Sequence, residues 1–81
     1  MENANIYKSR DLYLSSLIFC KDIKLISVEL DASNSFFWFV FSNKEKCEKL
    51  EQDFFKGGVL VDAKNYSEAI KFLKRKVAKG D

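Results

Sequence analysis

The chain has no histidine and no proline, only three glycines and two cysteines, and no apolar run approaching the ~20 residues of a membrane helix. Each shortage excludes something. Without histidine, the commonest general base and the commonest metal ligand are both missing, so an enzyme of the usual acid/base kind and a metal centre are not expected. Cys20 and Cys47 lie 27 residues apart with no Cys-x-x-Cys spacing, and each falls in an apolar helical pattern where a thiol acts as a small hydrophobe. Together they predict a reduced, cytoplasmic protein with no metal or cofactor. The first residues, Met1 to Ile6, lack the basic and apolar parts of a signal peptide, so they are expected to form a flexible tail (1–6). No linker-like Gly/Ser stretch, repeat or low-complexity run follows, and residues 7–79 read as a single domain.

What the chain does have is aromatic: eight Phe, three Tyr and one Trp in 81 residues. Large rings give a small domain much burial per residue. They are densest in Phe36 to Phe41, whose six bulky aromatic and β-branched residues suit a strand better than a helix. Alternation then sends Phe37, Phe39 and Phe41 to one side of a sheet and Phe36, Trp38 and Val40 to the other. Both sides are apolar, so the strand is either covered twice or exposes an aromatic patch.

Around that strand the spacing predicts a first helix over Arg10 to Cys20, capped by Ser9, with Tyr13, Leu14, Leu17 and Ile18 as its buried stripe and Ser15 and Ser16 at the border. Ile23 to Leu30 alternates as a strand, with Ile26, Val28 and Leu30 facing the core. A polar loop over Asp31 to Ser35 then returns the chain into the aromatic strand. Ser42 and Glu45 have the spacing of a capping box before a second helix, which Gly57-Gly58 ends. Val59 to Val61 reads as a third strand, and Asn65 with Glu68 caps a last helix over Tyr66 to Ala78. The expected fold is α+β, in the order α-β-β-α-β-α, with a three-stranded sheet packed by helices.

Three stretches, taken in order, resemble a family of small uncharacterised prokaryotic and phage domains. They are Tyr7-Lys8-Ser9-Arg10-Asp11-Leu12-Tyr13-Leu14, Trp38-Phe39-Val40-Phe41, and Val61-Asp62-Ala63 followed by Tyr66, Ala69, Leu73 and Lys74. The resemblance implies a stand-alone domain or short accessory protein. It carries no assigned reaction, cofactor or catalytic residue.

The residues themselves therefore decide the functional reading, which is a non-enzymatic binding domain. Charge is uneven: residues 1–31 hold four cations against five carboxylates, residues 32–58 four against four, and residues 59–81 six against three. Lys71, Lys74, Arg75 and Lys79 cluster on the solvent side of the last helix, where successive cations could meet successive phosphates. Nucleic acid is the first candidate partner, with Trp38 and Phe36 available for base stacking if they are exposed. The competing reading makes these cations a solubilising helix end. The alternative function is association with another protein, or with itself, through an aromatic sheet face of Phe36, Trp38 and Val40. That reading fails if a helix crosses over and buries them. Glu45, Glu48, Glu51 and Asp53 interleave with lysines as a solvated helix face rather than an acid/base pair.

Overall fold

In the computed structural model, which describes residues 5–78, the elements run β1 (Ile6–Ser9), α1 (Leu12–Cys20), β2 (Leu25–Leu30), β3 (Phe37–Ser42), α2 (Lys44–Lys56) and α3 (Ala63–Ala78). Three strands form one antiparallel sheet in the order β1-β3-β2, and three helices complete an α+β domain. The aromatic strand is its centre. One expectation needs correcting: the third strand is Ile6–Ser9, not Val59 to Val61, so the elements follow one another as β-α-β-β-α-α. Both edges of β3 are occupied, by β1 through Tyr7↔Phe41 and Ser9↔Phe39 and by β2 through Val28↔Phe39, and Val59 to Val61 pair with neither outer edge. Val59 and Val61 still pack against the core, while Leu60 between them is 85% exposed. They alternate without a ladder. Of the residues expected as a tail, Ile6 belongs to β1 and Asn5 accepts a hydrogen bond from the Lys44 amide at 3.2 Å; residues 1–4 lie outside the described ones.

The core lies on one side of the sheet, where Phe39 and Phe41 meet Leu14, Leu17 and Ile18 of α1, Cys47 of α2 and Leu73 of α3. α1 is the hub. Five consecutive residues, Leu14 to Ile18, are buried, because α1 packs against α3, α2 and β1 at once, while Tyr13, expected in the buried stripe, is 54% exposed. Ser15 and Ser16 are therefore fully buried rather than at a border. The Ser16 hydroxyl donates to the Leu12 carbonyl at 2.8 Å, whereas Ser15 Oγ has no partner among the described residues.

The caps also differ from the expected ones. Asp11, not Ser9, caps α1, accepting from the amides of Tyr13 and Leu14, while Ser9 Oγ accepts from the Asp11 amide. Asn43 caps α2 from a left-handed backbone (φ 60°), and Asp62 receives the Asn65 amide at the start of α3. In each case a short Asx side chain reaches back to a free first-turn amide, one residue or a few away from the residue that spacing alone selects. Gly57, at φ 89°, ends α2 in a conformation that side chains disfavour.

A bulge in β2 inverts part of its expected pattern. Leu25 pairs with Phe41 and Ser27 with Val40, so Ile26 is the extra residue and is 46% exposed, while Leu25 takes the core side. Beyond the bulge, Val28 and Leu30 keep register with Phe39 and Phe37, and Ser27 and Glu29 share the outer face with Val40 and Trp38. On that face, among the described residues, the cleft over Val40 is lined by strand residues alone, Ile6, Lys8, Ile26, Ser27 and Glu29.

Candidate nucleic-acid interface and the outer sheet face

α3 concentrates the positive charge. Lys64, Lys71, Lys74, Arg75 and Lys76 stand against Glu68 alone, so this one helix is four charges positive in a chain that is two positive overall. Lys71, Lys74 and Arg75 lie within one helical turn, are all exposed, and are not ion-paired among the described residues, whose ion pairs are Lys8–Glu29 and Lys49–Asp53. Lys79 lies outside the described residues. The amphipathic spacing that buries Ala69 and Leu73 is what turns these cations outward together.

Two of the three border a shallow groove. Lys71 and Arg75 line it with Phe19 and Phe72, whose rings stack at 5.2 Å, but Asp22 and Glu68 share the same wall. Lys76 sits over the Phe72 ring, 5.4 Å from its centroid. Neither Phe19 with Phe72 nor Lys76 stood out in the sequence. The pairing depends on how α1 crosses α3, which spacing along one helix does not contain.

The second predicted site, Phe36, Trp38 and Val40, is brought together on the outer sheet face but in a different state from a bare aromatic patch. Val40 is 2% exposed, covered by the flanking strands. Lys8 stands opposite it, and the Lys8 ammonium meets the Glu29 carboxylate at 3.5 Å, so a lysine stem roofs the valine. Phe36 and Trp38 are half-buried and meet edge to face at 5.2 Å. The Arg10 guanidinium lies 4.0 Å from the Phe36 centroid, and Trp38 Nε1 donates to Asp31 Oδ1 at 2.7 Å. One face of Phe36 is thus covered by Arg10, while Asp31 holds the Trp38 ring by its edge.

Asp31 is a junction. It follows β2, accepts from the Ser33 amide as well as from Trp38, and its own backbone closes the hairpin through Phe36 and Asn34. Asn34, at φ 61°, supplies the left-handed turn that glycine would otherwise provide. The Ser33 amide first, then the Trp38 indole, hold the Asp31 carboxyl down at about 2 from an ordinary 3.8. A carboxylate depressed in the folded state stabilises the fold above its ordinary value, and that contribution disappears as pH falls from about 4 through about 2. Because Trp38 is the only tryptophan, its emission should change in that window and follow the lower value. Asp31→Ala should shift the emission at neutral pH and remove the acid transition; an unchanged titration would show that the indole does not sense this carboxyl.

The thiols point away from nucleophilic chemistry. Burial pushes Cys47 up to about 11 and also raises Cys20, opposite to the low values that produce thiolate at neutral pH. Both cysteines are free. No described helix is long and apolar enough to cross a membrane.

Neither the curated proteins nor the solved structures contain a match to this chain. The model of a domain of unknown function, DUF5659, matches residues 4–79, which takes in the whole sheet, the basic helix and both candidate faces, and the chain therefore belongs to the DUF5659 family.

Proposed function

We propose that this domain is a non-enzymatic binding module of the cytoplasm that engages nucleic-acid backbone through α3. The observation that carries this reading is the segregation of charge: the exposed α3 cations make one helix strongly positive while the rest of the chain is slightly negative. A rod of cations on one side of a nearly neutral molecule matches a line of phosphates and gains by releasing their counterions. Base identity plays little part. The aromatic side chains best placed to stack, Trp38 and Phe36, belong to the other side of the sheet and are held by Asp31 and Arg10.

Replacing Lys71, Lys74 and Arg75 together by Glu tests the reading, because all three are exposed and their loss leaves the core untouched. The native chain should bind mixed oligonucleotides at low ionic strength. Its log affinity should fall with log salt at a slope of about −2 to −3, as expected for roughly three phosphate contacts. The triple variant should keep its circular dichroism and lose the binding. Affinity that survives the charge reversal, or that ignores salt, excludes α3 as the contact.

A further inference from the structure

We infer that the outer sheet face is a self-association surface, on which a second copy of this chain docks about a twofold axis running along β3. The sheet register sorts charge across this face. Lys8 of β1 stands beside Val40 and Glu29 of β2 beside Trp38, and the sorting continues past the strand ends with Arg10 over Phe36 and Asp31 on the Trp38 indole. By register the face is striped: Lys8 and Arg10 rise from the β1 flank, the rings and Val40 run down the middle with the Lys8–Glu29 pair spanning Val40, and Glu29 and Asp31 rise from the β2 flank. Among the described residues, strand residues alone line the cleft over Val40.

Such a face is close to neutral, so a polyanion gains nothing from it. It is complementary to itself, but for only one in-plane rotation. Turning a second copy over about an axis parallel to β3 sets each cationic flank on the partner's anionic flank and brings the two central rows together; an axis across the strands would set like charge on like. The permitted arrangement also keeps the two sheets nearly aligned, as in packed sheet pairs. Lys8 and Glu29, each about half exposed in their side chains, retain hydrogen-bonding capacity beyond their mutual contact. Trp38, Phe36 and Arg10 are residue types concentrated in the energetic centre of interfaces. Three strands span only about 15 Å. The patch is smaller than the ~800 Å² per partner of a stable complex, so the dimer is weak and concentration-dependent.

The test is sedimentation equilibrium of the native chain and of charge variants up to millimolar concentration, with circular dichroism to confirm that each variant is folded. The native chain should pass from monomer to dimer. Lys8→Glu and Glu29→Lys should each weaken self-association by about tenfold or more, because every lost contact occurs twice across a twofold axis. Mixing the two variants should restore a heterodimer, and the double exchange in one chain should restore a homodimer. A native chain monomeric throughout overturns the inference, as does a dimer that survives both single reversals or a mixture that does not associate. None of these outcomes bears on α3, whose cations are not altered.

Discussion

Phe41→Ala should cost about 3–5 kcal/mol, the range for emptying an aromatic site in a packed core. Phe41 is fully buried, sits in the central strand and is flanked on its own face by Tyr7 and Leu25, so removing its ring opens space that three strands and the helices above them must close together. Globular domains have roughly 0.05–0.15 kcal/mol of stability per residue, which for a chain this short makes the loss comparable to the whole. The variant should be largely unfolded near body temperature. Phe55 is the control. It is 69% exposed at the end of α2, touching Phe54 edge to face, and Phe55→Ala should cost less than about 1 kcal/mol. Urea denaturation of the two variants measures the contrast, and equal midpoints would mean that the aromatic strand is not the centre of the fold.

That strand is also where the sequence was most legible. Six bulky residues in a row leave a strand as the best solution, and period-two alternation correctly divides Phe39 and Phe41 from Trp38. α2 and α3 follow from their stripes in the same way, whereas α1 departs from its expected stripe, with Tyr13 exposed and Ser15 and Ser16 buried. What could not be read was long-range. The four-residue β1 has one polar and one charged residue, too short a pattern to separate from a tail, and becomes a strand only because β3 offers it an edge. Val59 to Val61 has better strand composition and receives no partner. The bulge at Ile26 depends on β2 matching β3, and the complete burial of Ser15 depends on α1 being enclosed by three neighbours, neither of which spacing along one segment contains. The candidate sites divide similarly. Lys71, Lys74 and Arg75 are a helical-wheel inference and are exposed on α3; Arg10 over Phe36 and Asp31 on Trp38 join residues 26 and 7 positions apart, through a register that had first to be known.

Leu73→Ala should have an equally severe effect, but a local one. Leu73 is fully buried, and α3 makes its main contact with α1 rather than with the sheet. Deleting a buried leucine costs about 2–5 kcal/mol. Here that cost falls on the seam between two helices, since the Leu73 side chain is a principal part of what α3 buries. A unit attached through one seam can open without the rest, so α3 should lose amide-exchange protection well before β3 does. The functional consequence is separable from charge. With Lys71, Lys74 and Arg75 still present, oligonucleotide affinity should fall only by the fraction of molecules whose α3 is undocked, and should recover when the helix is redocked by a stabilising solute. Hydrogen exchange followed residue by residue decides the matter. Protection lost equally in α3 and β3 would mean that the helix and the sheet unfold as one unit, and that the basic face cannot be released by itself.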